Sequence, residues 1–284
     1  MVKIKVAWYN VLRGFHKKEK DGTFTFEKKR MESAKKIISK LNLDILFIGE
    51  GDFNPRCKIS GPKIRIIDYK KEFKFPYVYY SKPDKTSRKG EVILSKIKIE
   101  KVSDFSVKKT PDSTFIKTWF KISNKKINID VIHPYPTILE KDKAEWVGNV
   151  LKTKEEPYIL LGDFNALSPK DKKNYKFSEF VKEFMALGLN KEDAERAIKD
   201  RLKFLMLKRV ISENLTDSYL ALNKKYKGTL PTKKYVLFKD KTGTIRIDYL
   251  FCSKQFKILE SGILKNSLTE MASDHYPIYA LLEL

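Results

Sequence analysis

The feature that most constrains the fold is a succession of short apolar runs separated by longer amphipathic segments along the whole chain. The runs are rich in Ile, Val, Tyr and Phe and are bounded by Gly, Pro, Asp or Lys, which is typical of β-strands. Strands are predicted at residues 3–9, 44–49, 64–67, 77–80, 91–94, 115–122, 127–132, 158–161, 245–251 and 276–283. Because helix patterns fall between them, the chain is predicted to be an α/β protein.

Three segments have apolar residues at helical spacing. They are residues 27–41, 140–151 and 177–213, the last interrupted at Gly188. The apolar stripe of 177–213 has two explanations, a core-packing face or a helical pair that binds a partner, and core packing is the simpler one. The stretches 12–26 and 223–244 are predicted to be long loops. Since no Ser/Gly/Pro-rich linker divides the chain, residues 1–284 are predicted to form a single domain, which we expect to be a monomer.

The charge balance points to a polyanionic partner. The chain has 59 basic and 36 acidic residues, a formal net charge of +23. Such a surface attracts nucleic acid electrostatically. Compositional bias is the alternative, because only nine of the basic residues are arginines and the lysines are spread from end to end, as in heat-adapted proteins. The composition leaves both explanations open.

The compartment is predicted from the cysteines and from the amino terminus. Cys57 and Cys252 are far apart, so they form neither a metal motif nor a disulfide framework. Met1 leads directly into an alternating strand pattern with no secretory signal. No apolar run approaches the ~18 residues that a membrane helix needs. We therefore expect a cytoplasmic protein without membrane insertion.

Polar side chains stand where the predicted strands meet their loops. Asn10, Glu50, His133, Asp163 and Asn165 follow strands, and Asp274 and His275 precede one. If these strand ends share one rim of a mixed sheet, acids, amides and histidines meet there. That inventory is typical of a metal-assisted phosphoryl or ester hydrolase.

The tetrapeptide GDFN occurs twice, at residues 51–54 and 162–165, each time after an apolar run. An acid two residues before an amide at a strand end suits a phosphate or metal site. The repetition alone allows two sites, one site built from both copies, or one site and an unrelated copy.

Asp248 lies in the middle of the apolar strand sequence TIRIDYLFC. A carboxylate in such a strand is costly to bury without a partner. The structural alternative is pairing with Arg246 or a backbone amide. The functional alternative is a histidine whose tautomer the carboxylate fixes, as in hydrolytic dyads.

Six motifs, WYN, IGE, VIH, GDFNALSP, RIDYLF and ASDHYPI, occur in the order found in the endonuclease/exonuclease/phosphatase superfamily, the deoxyribonuclease-I-like proteins. The chain resembles this superfamily from Lys3 to Leu282. The resemblance implies a four-layered α/β sandwich of two packed mixed β-sheets flanked by helices. It also implies a phosphodiesterase or phosphomonoesterase that depends on Mg²⁺ or Mn²⁺. The second GDFN matches the catalytic element of the superfamily, whereas at the first copy only the preceding Glu50 matches.

The resemblance implies three metal-site residues. Glu50 corresponds to the metal-binding glutamate, Asn10 to the amide that supports the metal and a phosphate oxygen, and Asp274 to an additional metal contact. The structural alternatives are a loop acid at a solvated edge for Glu50, which is the weaker explanation, a strand-end cap for Asn10, which is the better one for this residue taken alone, and a helix or loop cap for Asp274.

The resemblance also implies the catalytic and phosphate-binding residues. Asp163 orients or deprotonates the attacking water, and Asn165 donates to the phosphate oxygens. His275 binds phosphate and stabilises the transition state or protonates the leaving group, and Asp248 orients His275. His133 contacts phosphate, although the sequence HPYP departs from the His-Leu common in the superfamily. His16 is predicted to lie on the surface, and Arg88 in an exposed loop.

Two departures concern the substrate. Leu12 stands where the abasic-site endonuclease branch has a polar residue, and Gly51 and Asp52 replace its usual Thr-Lys. These differences argue against an abasic-site enzyme. The expected function is hydrolysis of nucleic-acid phosphodiesters, with DNA favoured. The alternatives are a phosphatase or phosphodiesterase acting on a small metabolite, inositol phosphate or lipid headgroup, and a catalytically silent nucleic-acid-binding protein.

Overall fold

The computed structural model describes residues 1–53, 65–81, 89–106, 113–186, 188–235 and 244–284. Two six-stranded mixed sheets pack face to face, and helices cover their outer faces. The predicted four-layered α/β sandwich is confirmed. Within the described ranges, no helix has the length and apolar character needed to cross a bilayer.

The strands and helices of the described residues follow the chain order. The strands are β1 (Lys3–Asn10), β2 (His16–Lys18), β3 (Phe24–Phe26), β4 (Ile45–Phe53), β5 (Tyr77–Tyr80), β6 (Lys89–Ser95), β7 (Ile99–Ser106), β8 (Thr114–Ile122), β9 (Lys125–His133), β10 (Tyr158–Asp163), β11 (Thr216–Asp217), β12 (Asp248–Cys252), β13 (Lys257–Ile263) and β14 (Ile278–Glu283). The helices are α1 (Leu12–Phe15), α2 (Lys28–Leu41), α3 (Tyr69–Phe73), α4 (Glu140–Leu151), α5 (Phe177–Ala186), α6 (Lys191–Arg201), α7 (Leu205–Ser212), α8 (Ser218–Leu222) and α9 (Ser267–Ala272).

Strand direction brings the polar strand ends together. The first sheet has the order β13-β14-β1-β4-β6-β5 and the second β11-β12-β10-β9-β8-β7. β1 runs parallel to β4, and β9 runs parallel to β10, so these four strands end at the same edge of the sandwich. β12 and β14 are antiparallel to β10 and β1, so both begin at that edge. This topology places the strand exits and entrances on one rim.

Three apolar layers hold the sandwich together. The central layer lies between the sheets, where Trp8 and Phe47 of the first sheet belong to the same buried cluster as Ile129 of the second. A second cluster joins the first sheet to α2, and a third joins the second sheet to α4 and α7. Burying a side chain such as Trp8 or Phe47 contributes about 1.5–3 kcal/mol.

The helical stretch 177–213 becomes the three helices α5, α6 and α7. The chain adopts left-handed backbone at Gly188, with φ of 99°, and at Phe204, with φ of 56°, and these positions separate the helices. Phe180, Val181 and Ile198 pack in one buried cluster with Phe204. The apolar stripe is therefore a core-packing face.

Several predicted boundaries are wrong. Residues 65–67 form no strand, and residue 64 lies outside the described residues. The strand predicted at 245–251 begins at Asp248, because Ile245 makes only an isolated bridge to Leu230. The predicted loop 12–26 contains the hairpin of β2 and β3. In the stretch 223–244 the described part contains a 3₁₀ turn at Lys233–Tyr235, and residues 236–243 lie outside the described residues.

Two long strands, β7 and β13, were not predicted. Both lie at the edge of a sheet, where one side of the strand has no neighbour. In β13 most side chains are exposed or half-buried. An edge strand with polar positions on both faces lacks the apolar run that marks a buried strand.

Candidate active site

The polar strand ends surround a cavity of about 280 Å³ at the shared rim. Seven of the predicted site residues line it: Asn10, Glu50, His133, Asp163, Asn165, Asp274 and His275. Asp248 lies directly behind His275. The structure therefore brings all the predicted site residues into one place.

Asp163 lies at the centre of this arrangement. Its Oδ2 atom is 3.6 Å from Nε2 of His133 and 3.7 Å from Nε2 of His275. The same oxygen is 3.4 Å from the Asn10 amide nitrogen, which joins the two sheets across the rim. The preceding Gly162 has φ of 146°, and a Cβ atom there would lie 1.9 Å from the carbonyl oxygen of Ile132. Only glycine lets β10 approach β9 closely enough to place Asp163 here.

Asp248 and His275 form a buried hydrogen-bonded pair. Asp248 Oδ2 is 2.8 Å from His275 Nδ1, and Asp248 Oδ1 accepts a 2.8 Å bond from the Trp8 indole. The carboxylate thus places the proton on Nδ1 and turns Nε2 towards the cavity. Arg246 instead forms 2.8 Å ion pairs with Asp171 and Asp217. The structure therefore selects the histidine as the partner of Asp248.

The Trp8 ring reaches Asp248 because Gly49 leaves room for it. A Cβ atom at Gly49 would lie 2.4 Å from the Trp8 ring. Replacement of this glycine would displace the indole that holds the carboxylate.

Glu91 and His133 form a second carboxylate–histidine pair, and Glu91 was not predicted from the sequence. Glu91 Oε1 is 3.0 Å from His133 Nδ1, and the Glu91 side chain is buried and lines the cavity. The available signal was the same as for Asp248, because Glu91 is an acid within the apolar run GEVIL. Two imidazoles, each backed by a buried carboxylate, therefore face the same oxygen of Asp163.

The buried carboxylates raise the pKa values of both cavity histidines. Burial alone would lower the pKa of His275, but Asp248, Asp274 and Asp163 raise it well above its ordinary value. Burial would also lower the pKa of His133, but Glu91 and Asp163 raise this pKa above its ordinary value. Protonated rings present Nε2–H donors to the cavity, where a phosphate oxygen can accept them.

Asn165 is held in a strained conformation that aims its side chain. Its φ is 46°, in the left-handed region, and its backbone N–H donates a 2.8 Å bond to Asp163 Oδ1. The side-chain amide donates one N–H to the Pro134 carbonyl at 2.9 Å. The second N–H remains to donate to a ligand in the cavity.

Carboxylate and amide oxygens that line the cavity fit a hard divalent cation. Glu50 has φ of 53° and accepts a 2.9 Å bond from the Arg13 backbone N–H through Oε2. The pairing of β4 with β6 shifts register between Ile48 and Asp52, which places Glu50 in a bulge at the rim. Asn10, Glu50 and Asp274 all line the cavity, and carboxylate and amide oxygens are the ligands that Mg²⁺ prefers.

A second grouping could also hold a cation. Asp163, Asp248 and His275 each offer a ligand atom, and these atoms lie within 4.8 Å of one another. An ion bound by Asp248 Oδ2 or His275 Nδ1 would break the hydrogen bond between them. The Glu50 side of the cavity is therefore the better candidate cation site.

The prediction for His16 is wrong. Its side chain is fully buried, with Nδ1 3.0 Å from the Arg13 carbonyl oxygen and Nε2 accepting a 3.1 Å bond from the Arg65 backbone N–H. The basic sequence around it suggested a surface loop, but its own hairpin and residue 65 enclose it. Arg88 lies outside the described residues.

Comparison with known proteins identifies related sequences and folds. The profile of the Endonuclease/Exonuclease/phosphatase family matches residues 7–275. A search of curated protein sequences finds no match.

Solved structures share the fold over 99% of this chain. An endonuclease/exonuclease/phosphatase family protein from Leptotrichia buccalis is 18% identical, with a TM-score of 0.64 and 100% of its chain covered. An AP endonuclease from Archaeoglobus fulgidus is 18% identical, with a TM-score of 0.66 and 100% covered. D. rerio TDP2, solved in complex with a single-strand DNA product, is 13% identical, with a TM-score of 0.62 and 99% covered. At these identities the similarity establishes the fold.

Proposed function

Since the chain belongs to the endonuclease/exonuclease/phosphatase family, we propose that it hydrolyses phosphodiester bonds of nucleic acids in a reaction that requires Mg²⁺ or Mn²⁺. Members of this family are hydrolytic phosphoesterases. The observation that supports the proposal most directly is the arrangement around Asp163, whose Oδ2 faces the Nε2 atoms of His133 and His275. A buried carboxylate backs each ring.

In the proposed reaction Asp163 accepts a proton from the attacking water. Burial and the nearby Asp248 raise the pKa of Asp163, whereas the two histidines oppose this rise. A carboxylate with a raised pKa is a stronger base than an ordinary aspartate. Asn10 also contacts Asp163 Oδ2 and so helps to fix the direction in which the base points.

Asn165, His133 and His275 bind the phosphate. The free N–H of the Asn165 amide and the two Nε2–H groups donate to the non-bridging oxygens as negative charge develops. Asp248 and Glu91 orient the rings and stabilise their protonated forms. His275, whose pKa is raised well above its ordinary value, also donates a proton to the leaving oxygen.

Glu50, Asn10 and Asp274 would hold the cation, which would supply positive charge that stabilises the transition state of phosphoryl transfer. Glu50 is held for this role by the Arg13 backbone N–H.

Nucleic acid, with DNA favoured, is the proposed substrate for three reasons. The net charge of +23 attracts a polyanion. Tyr135, which lines the cavity and is 40% exposed, offers a ring on which a base can stack. Two of the similar structures are named as an AP endonuclease and as TDP2 with a single-strand DNA product. A cytoplasmic monomer remains part of the proposal.

Plasmid nicking tests this function. Supercoiled DNA at low salt is incubated with wild type or His275→Ala, with Mg²⁺ or Mn²⁺, and with excess EDTA. Lys141→Met, an exposed position on α4, is the matched control. We expect nicking that EDTA and His275→Ala abolish and that Lys141→Met retains. Hydrolysis of small phosphoesters without cleavage of plasmid, linear or single-stranded nucleic acid would refute the proposed substrate and favour the small-molecule alternative.

A further inference from the structure

A buried lysine lies directly behind the phosphate-binding residues. Lys143, in the first turns of α4, is 1% exposed. Its Nζ atom donates a 2.6 Å hydrogen bond to the backbone carbonyl of Asn165. A second contact, 3.5 Å long, reaches the carbonyl of Pro136 in the loop that follows His133.

Glu140 is the ion-pair partner of Lys143, but it makes no hydrogen bond to the ammonium group. The nearest carboxylate oxygen of Glu140 is 4.0 Å away, outside hydrogen-bond distance, and the other oxygen of Glu140 accepts from the Met206 backbone N–H. The Pro136 carbonyl already accepts a 2.9 Å bond from Arg201. Within the described residues, the Asn165 carbonyl is thus the close acceptor that depends on Lys143.

This ammonium group is costly to bury. Burial and the nearby Arg201 lower the pKa of Lys143 to about 8, against the opposing effect of Glu140, Asp163 and Asp200. Methionine has a similar length and would fill the same space without a desolvation penalty. A purely packing role therefore does not require a lysine here.

Three hydrogen bonds fix Asn165. Its N–H binds Asp163, its side-chain amide binds Pro134, and its carbonyl accepts from Lys143. The backbone at Asn165 is left-handed, a conformation that persists where the surroundings over-determine it. Loss of the carbonyl bond would let the peptide rotate and turn the free amide N–H away from the cavity.

We propose that Lys143 is a positioning residue of the phosphate site: it holds the Asn165 carbonyl, aims the Asn165 amide, and places a buried positive charge behind the bound phosphate. The effect of Lys143 on catalysis rests on the proposed function, whereas its effect on phosphate binding does not. Because negative charge on the phosphate oxygens grows in the transition state, the loss of Lys143 affects kcat more than KM.

Binding of inorganic phosphate to the Mg²⁺-loaded protein tests the proposal without requiring turnover. Isothermal titration calorimetry compares wild type with Lys143→Met, Lys143→Gln and the double variant Lys143→Met/Glu140→Gln, which avoids an unpaired Glu140. Lys141→Met is the control, and Glu140→Gln is the reference with which the double variant is compared. We expect the phosphate Kd to rise about tenfold in each Lys143 variant, from lost buried charge, and to stay unchanged in Lys141→Met. Circular dichroism melts establish which variants are folded.

Steady-state cleavage gives the second readout. We expect kcat to fall on the order of 10²-fold in the double variant, with a smaller change in KM. A wild-type phosphate Kd in any folded Lys143 variant would overturn the inference, as would a wild-type protein that binds no phosphate. If wild type binds phosphate but cleaves no phosphoester, the proposed function fails, and the Kd comparison still decides the role of Lys143.

Discussion

Replacing Arg30 of α2 with methionine should destabilise the fold, because this guanidinium joins the two chain segments that bring residues to the site. Arg30 is 1% exposed. Its Nη2 atom donates to the carbonyls of Val11 at 2.7 Å and Leu12 at 3.1 Å, directly after Asn10. Its Nε atom donates to the carbonyl of Ala272 at 2.9 Å, two residues before Asp274.

The expected loss follows from these contacts and from two bonds donated by Nη1, one of 3.2 Å to the carbonyl of His16 and one of 3.4 Å to the carboxylate of Glu27. Methionine would leave four carbonyl acceptors without this donor. Hydrogen bonds to charged groups contribute about 1.5–3 kcal/mol each, and relief of the buried charge offsets part of their sum. Removing one partner from a buried charged network costs about 3–5 kcal/mol, which lowers Tm by roughly 5–8 °C in a chain of this size, because its entropy of unfolding is about 0.6 kcal/mol/K.

Urea denaturation followed by circular dichroism measures this loss. Lys36→Met, an exposed position on the same helix, is the control and should change the free energy of unfolding by less than about 0.5 kcal/mol. Arg30→Lys should be intermediate, because lysine keeps the charge but not the planar fork of donors. A loss below about 1 kcal/mol in Arg30→Met with an unchanged m-value would refute the reasoning.

Three further results are expected. Asp248→Asn should lower kcat on the order of 10³-fold or more while the protein stays folded, because the amide no longer stabilises protonated His275; near-normal single-turnover rates would contradict the assigned pair. Glu50→Gln keeps an acceptor for the Arg13 N–H but should weaken Mn²⁺ binding at least about tenfold, as followed by electron paramagnetic resonance; unchanged binding would exclude Glu50 as a ligand. Finally, the pKa of Lys143, about 8 in the folded protein, lies below its unfolded value of about 10.4. The unfolded chain therefore binds more protons in this interval, and wild-type stability should gain up to about 1.4 kcal/mol per pH unit relative to Lys143→Met as pH rises. A stability difference that is flat across this interval would show that the pKa is not lowered.

The strand ends could be predicted from local pattern because a buried strand marks its own limits. Asn10, His133 and Asp163 each close an apolar run, and parallel neighbours must end together. The two long strands that local pattern did not predict are β7 and β13, because positions at sheet edges remove the apolar pattern. The break at Gly188 was predicted from the sequence, whereas the break at Phe204 was not, because it depends on a left-handed residue that no composition rule indicates.

The partners of the site residues could not be predicted, because they are distant in sequence. Asp248 is held by Trp8, 240 positions away, and His133 by Glu91, 42 positions away. For Asp248 the sequence allowed either Arg246 or a histidine. In the folded protein Arg246 pairs with Asp171 and Asp217, so the histidine is the partner of Asp248.

The sequence by itself determined the α/β class, the strand ends at which polar groups collect and, through its ordered motifs, the family to which the chain belongs. These properties follow from local periodicity and from short segments, so they do not depend on contacts between residues that are distant in sequence. The tertiary structure alone decided that Glu91 supports His133, that His16 is buried and that Lys143 holds Asn165. The physical reason is that the cost of burying a charged or polar group depends on the partner that packing supplies, and that partner lies on another element of the fold.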